Sequence, residues 1–381
     1  MLLFLLAGCG LFHPLSELPT NDDTGQTVTE TGTTITETGT TITETGLPIP
    51  PVEFALYAMT IQDNGPIKIE TFDIDAGVRV ETSPTSLSGS SEASNGLMLT
   101  TDNRLFATGN GDSLIEGFSI DDRTGLLRAE GWSPYQTQDM TLHTISEKDG
   151  VVYGIGSNAI GSYQIIQNGQ MEELGVWYEC GAECLFIDIV ATLDGSHFAA
   201  TGNSIDGTMG TVFTGSLILN DISNMLEDIS APMRNLVASK IDNLVYASSD
   251  EGVAAIQAEE GRFTFRGFTG VGGNFTDIAV SRNGDMGYGV ASGFGGTASS
   301  LQSYIVSQGG MVWQSMESVE APEDTEYIYV SDRYMALSSR ARIWLYELSS
   351  NGRPGEHFLE FTRQGQNYFG PIVIVEGAGG N

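Results

Sequence analysis

Short turns centred on Asp or Asn recur along this chain at a nearly constant distance, and that period constrains its fold more than any other feature. They stand at Asp102-Asn103, Asp149-Gly150, Asp194-Gly195, Asp242-Asn243, Asn283-Gly284 and Asp332-Arg333, at successive intervals of 47, 45, 48, 41 and 49 residues. A repeat of this length marks a supersecondary unit that buries its apolar face only by stacking on copies of itself. Each turn joins two apolar runs. The second run carries an aromatic residue four or five positions on, at Phe106, Tyr153, Phe198, Tyr246 and Tyr288; the last unit has Ala336 there. Asn, Asp and Gly tolerate positive φ, which tight hairpins require, so the runs on either side read as antiparallel strands.

Two further strands follow in each unit, such as Leu114 to Asp121 with Leu126 to Trp132, and Ile343 to Leu348 with His357 to Phe361. Each unit is therefore expected to be a four-stranded antiparallel blade. Before the first full unit, Phe54 to Thr60, Ile67 to Asp75 and Val78 to Glu81 supply three strands and lack an inner one. Ile372 to Val375, near the carboxyl end, is an orphan strand of the right kind. Docked beside Phe54 to Thr60 it closes a ring, so the expected fold is all-β: a seven-bladed β-propeller with no open sheet edge.

The stretch Phe118-Ser119-Ile120-Asp121-Asp122-Arg123-Thr124-Gly125-Leu126-Leu127 resembles a hairpin of the lactonase-type seven-bladed propellers, the group that includes 6-phosphogluconolactonase-like proteins. Phe72-Asp73-Ile74-Asp75 and Leu348-Ser349-Ser350-Asn351-Gly352 repeat it more weakly. Leu105-Phe106-Ala107-Thr108-Gly109-Asn110 is similar to the Y-V-T-N repeats of surface-exposed propellers. The resemblance covers the blades and rests on scaffold turns. It implies the fold, and it carries no catalytic residue onto a matching position here.

Ahead of the blades lie two segments of different character. Met1 to Ala7 is apolar but far shorter than the ~20 residues that span a bilayer, and it reads as the core of an export signal. It ends in Leu6-Ala7-Gly8-Cys9, which resembles the lipobox of bacterial lipoproteins; the resemblance implies cleavage before Cys9 and acylation of its thiol. Gly10, where an aspartate is absent, implies sorting to the outer membrane. Two or three acyl chains, at about 0.8 kcal/mol per buried CH₂, hold a soluble domain on a bilayer where one chain does not. From Cys9 to Pro51 the chain is rich in Thr, Gly, Glu and Pro, with the stretch E-T-G-T-T-I-T at Glu30 and again at Glu37. One apolar residue per seven, Ile35 or Ile42, is too few for a coiled-coil seam. Such a segment is expected to be a disordered tether. The predicted organisation is thus a signal peptide over 1–8, a lipidated tether over 9–51 and a propeller over 52–381.

Charge and cysteine content bound the function. With 49 acidic against 16 basic residues the formal net charge is −33, which repels phosphate polymers and excludes nucleic acid as a partner. Cys180 and Cys184, in C-G-A-E-C, are expected to form a disulfide once exported, free thiols being the alternative. Two thiolates with no third ligand nearby make a poor zinc site. The acidic turns at Asp73, Asp75, Asp121 and Asp122 lack a calcium-loop pattern, so neither metal nor cofactor is predicted.

No hydrolase elbow, metalloprotease helix or P-loop occurs, and no catalytic residue is assigned. Of the four histidines, His13 lies in the tether and His197 and His357 fall in second and fourth strands. His143, in D-M-T-L-H-T-I, is the candidate channel ligand. Phe294 marks a long loop in the sixth unit. The inner strands Leu97-Met-Leu99, Ile189-Val-Ala191 and Ile278-Ala-Val280 read as apolar or small. That pattern favours a non-catalytic binding or scaffold propeller, anchored at the bacterial outer membrane or cell surface, whose partner is an envelope protein or glycan. The alternatives are a lactonase-like hydrolase with its pocket in the central channel, and a passive surface spacer.

Overall fold

The computed structural model describes residues 52–377 apart from short segments, the longest being 88–95, 178–183 and 292–298. Every described element is a strand, and the strands form seven antiparallel sheets. The innermost strands of blades one to seven are Asn367–Glu376, Leu97–Leu99, Thr144–Lys148, Cys184–Ala191, Met233–Ala238, Phe275–Val280 and Thr325–Val330. Each touches the next, and Asn367–Glu376 touches both Thr325–Val330 and Leu97–Leu99, so the ring closes.

The carboxyl-terminal strand takes the place predicted for it. It pairs antiparallel with Phe54–Gln62, matching Ala55 with Val375 and Ala58 with Ile372, and completes blade one. Blade one continues outward through Lys68–Asp73, after which the outer position is shared by two short pieces, Val78–Arg79 and Thr85–Ser86. Blade two is broken the same way, into Leu127–Ala129 and Tyr135–Gln136. The other five blades have four continuous strands each.

The period has a plain physical cause. Asn103 and Asp149 hold φ of 59° and 53°, and Gly150, Gly195 and Gly284 hold 83°, 68° and 70°. These are the left-handed conformations that the turn residues were expected to supply. The aromatic after the turn is buried, and in blades two, three, five and six it wedges towards the following blade, whereas Phe198 of blade four, one register position earlier, packs back on blade three. Tyr57, at the equivalent place in blade one, donates its hydroxyl to Gly125 O at 2.6 Å in the outer hairpin of blade two. Tyr288 of blade six does the same to Gly352 O of blade seven at 2.7 Å. Tyr246 of blade five meets Gly310 of blade six, and Tyr153 packs on Phe198 with ring centroids 5.5 Å apart. Where Ala336 replaces the aromatic, Phe72 of blade one joins the cluster that holds Ala336, its ring 4.5 Å from that of Phe361 and tilted by 37°.

Cys9, Cys180 and the side chains of Cys184 and Phe294 lie outside the described residues, as do the signal and tether segments. Among the described residues no helix is long and apolar enough to cross a membrane.

Candidate functional site

The inner strands enclose an axial cavity of about 360 Å³. Its construction follows from a column of buried Leu and Ile, one in each blade: Leu97, Ile145, Ile189, Leu236, Ile278, Ile328 and Ile372, all 9 % exposed or less. The residue before each of these turns the other way. Those residues are Gly96, Thr144, Asp188, Asn235, Asp277, Tyr327 and Pro371, and all but Gly96 line the cavity. β-Bulges just before Asp188, Leu236, Asp277 and Tyr327 adjust the strands at this level. Two residues further on, Met98, Ser146, Val190, Val237, Ala279, Tyr329 and Val373 make a mostly apolar second tier.

A third tier belongs to the hairpins. Thr100, Thr192, Ser281 and Ser331 accept, through their hydroxyl oxygens, the backbone N–H of Arg104, His197, Met286 and Tyr334 at 2.8 to 3.3 Å. These bonds fasten the turns that join inner to second strands.

The two first-tier carboxylates join blades. Asp188 Oδ2 accepts the N–H of Leu236 in blade five at 2.7 Å, Oδ1 accepts the N–H of Ile189 at 2.8 Å, and the Thr144 side chain of blade three adds a third bond. Asp277 repeats the pattern with Ile328 N–H of blade seven at 2.9 Å, Ile278 N–H at 2.8 Å and the Asn235 side chain of blade five. The Asn235 amide also donates to Thr276 O at 3.1 Å, so blades three to seven are stitched in one line.

Both carboxylates touch the solvent space of the cavity, yet lie at the centre of the molecule. The depth dominates. Burial pushes Asp188 up to about 7 and Asp277 up to about 6, against the lowering effect of their N–H donors; Asp277 also raises Asp188. Beside them Tyr327 is held neutral by burial, and Tyr329 is pushed up to about 12. At the opposite end Lys240 lines the cavity in contact with solvent, and the crowded mouth together with Lys148 lowers its affinity for a proton. Glu147 also lines this end, where it accepts the N–H of Gly150 at 2.7 Å.

His143 falls one residue before the inner strand of blade three, and the lining of that blade runs from Thr144 to Glu147. It is half-buried, and burial lowers the pKa of its ring. His357 stacks on Trp344 in blade seven, with centroids 4.0 Å apart. The expectation of apolar or small inner strands is corrected: those runs are apolar, but the residue ahead of each was overlooked. The available signal was an acidic residue at the head of two equivalent runs, Asp188-Ile189 and Asp277-Ile278. Among the described residues no group of three metal-ligating side chains comes together.

No family model matches the chain, and no curated protein resembles it in sequence. Solved structures do resemble it in fold. A Bacteroides fragilis protein called a "putative 6-phosphogluconolactonase" aligns over 85% of this chain and 98% of its own, at 12% identity and a TM-score of 0.62. A Bacteroides uniformis protein of the same description gives 12% identity and 0.64, covering 85% of this chain and all (100%) of its own. AztD from Citrobacter koseri covers 86% of this chain and 99% of its own at 11% identity and 0.55. At such identities the likeness establishes the propeller fold alone.

Proposed function

We propose that this protein is a binding or scaffold propeller of the bacterial envelope, held at the outer membrane by acylation of Cys9 and presenting its channel mouth and inter-blade loops to an envelope protein or glycan. The observation that carries the binding reading is the state of the axial carboxylates. Both oxygens of Asp188 and of Asp277 accept backbone N–H groups, one from the same strand and one from the next blade. A general base must take a proton and pass it on, and here each proton gained displaces a bond that ties two blades together. Carboxylates whose two oxygens are both committed to such bonds suit recognition better than turnover.

The chain's entry point supports the orientation. Val52 donates its N–H to Arg123 O at 3.1 Å, in the outer hairpin of blade two, so the propeller is entered from its hairpin end. The tier of Asp188 and Asp277 lies towards the other end of the inner strands.

The test uses the full chain expressed in a diderm bacterium. Cys9→Ser releases the protein from membranes and abolishes incorporation of labelled palmitate. Crosslinking in intact envelopes then recovers a defined protein or glycan, and the product is lost when the connections on the face opposite Val52 are altered. Retention of Cys9→Ser on membranes defeats the anchoring claim, and lactone hydrolysis abolished by Asp277→Asn defeats the non-catalytic one.

A further inference from the structure

The axial cavity is chemically polar along its length in a way that nothing else in the fold requires. At one end two carboxylates share a tier with Tyr327, and Tyr329 stands in the tier after it. Carboxylates beside aromatic faces are the combination that recognises an ammonium group, by charge and by cation–π attraction. The middle tier is mostly apolar. At the far end stands Lys240, in contact with solvent, and the charged neighbour that acts on it is another cation, Lys148. The nearby Glu147 is held by its own turn. Among the described residues the carboxylate tier thus holds no cation, while the far end offers the cavity's one lining ammonium, Lys240, beside a carboxylate, Glu147, that is engaged by the Gly150 N–H.

We propose that the channel binds an elongated zwitterion, its ammonium among Asp188, Asp277 and Tyr327 and its carboxylate on Lys240. The inference rests on the binding reading above and adds a small-molecule ligand to it. Its length follows from the strand. Asn235, level with the carboxylates, and Lys240 are five residues apart, at most about 16 Å of chain because the strand ends at Ala238, and the lysine's reach back into the cavity leaves roughly 10 Å between ligand charges. An amino acid of eight carbons with terminal groups, or a tripeptide, has that span.

The experiment is calorimetric titration of the full chain at pH 8 with 8-aminooctanoate, octylamine and octanoate. The zwitterion is expected to bind at least tenfold more tightly than the amine, and octanoate most weakly. Lys240→Met, on an exposed turn position, brings the zwitterion down to the level of the amine. In the unaltered protein, affinity for the zwitterion falls at least tenfold between pH 8 and pH 5, as Asp188 and Asp277 take up protons. The side chains that face the two carboxylates are Thr144, Asn235 and Tyr327, with Tyr329 one tier further and Glu147 and Lys240 at the far end of the cavity. Equal affinity for amine and zwitterion, tighter binding of octanoate, an affinity independent of pH or no binding at all overturns the proposal. If the probes fail while the crosslinked envelope partner persists, the channel inference falls and the binding reading stands.

Discussion

Asp188→Asn exchanges a charge for an amide of nearly the same shape, and so isolates what ionisation of this carboxylate does to the ring. Burial raises Asp188 from 3.8 to about 7 in the folded state. At about 1.4 kcal/mol per unit the ceiling is ~4 kcal/mol, and contact with channel solvent reduces this to about 2 kcal/mol. A raised folded pKa means that the native state holds its proton more tightly than the unfolded chain. The wild-type contribution from this group is therefore fully present below about pH 4 and is lost as pH rises through about 7. The asparagine has no such loss. Its own defect, an amide NH₂ turned towards one of the N–H donors, costs about 1 to 3 kcal/mol at any pH. In urea titrations the variant should therefore be less stable than wild type at pH 5, with the gap narrowing by about 1 kcal/mol at pH 8.5. The remaining acidic residues are common to both proteins, so the large negative charge cancels in the comparison. A gap that stays constant or widens with pH refutes the reasoning, because it means that the backbone donors outweigh desolvation.

Three further outcomes follow from the packing. An added methyl in Gly287→Ala meets the ring of Trp313 at 2.7 to 2.8 Å; overpacking of this kind costs about 1 to 3 kcal/mol and is read as a lower urea midpoint with altered tryptophan fluorescence. Tyr288→Phe removes the hydroxyl bond to Gly352 and lowers stability by about 1 kcal/mol, measured by the same titration. Deleting residues 367–381 strips blade one of its inner strand and exposes the edge of Phe54–Gln62, so the product should lose its cooperative transition and associate through that edge; a monomer on size exclusion with wild-type melting contradicts the closure.

Much of the fold was legible in the sequence because turn chemistry is local. A hairpin with its second residue at positive φ selects Asn, Asp or Gly wherever it occurs, and Asn103, Gly150, Gly195 and Gly284 all occupy that position. The missing inner strand was legible for a different reason: a ring has no place for a three-stranded end, so the unpaired run at Ile372 to Val375 had one partner open to it. The broken outer strands of blades one and two were not legible. Two-residue strands such as Val78–Arg79 carry no periodicity, and their pairing is set by the neighbouring strand. The site was read least well. His143 drew attention as a rare residue type, whereas Asp188 and Asp277 were lost among 49 acids. What distinguishes them is their place before a buried isoleucine, and that place becomes visible only when the blades are aligned on their inner strands.

Aligned in that way, the seven blades act as seven trials of the same backbone, and they separate what the fold demands from what it leaves open. In the third tier five of the seven positions are Ser or Thr: Thr100, Thr192, Ser239, Ser281 and Ser331. Each donates its N–H across the hairpin to the second strand, a need that recurs in every blade because the hairpin recurs. In the first tier the seven positions carry six residue types, from Gly96 and Pro371 to Asp277 and Tyr327. A backbone that accepts glycine, proline and tyrosine at one level does not require a carboxylate there. The blade-to-blade bonds differ in kind from the one Asn235 makes from the same tier: its amide donates to Thr276 O, whereas both oxygens of Asp188 and of Asp277 accept N–H groups, which an amide could match at one position only. Two ionisable groups held at the centre of the molecule, in a tier that the fold does not require to be charged, fit a ligand that enters the channel and uses their charge.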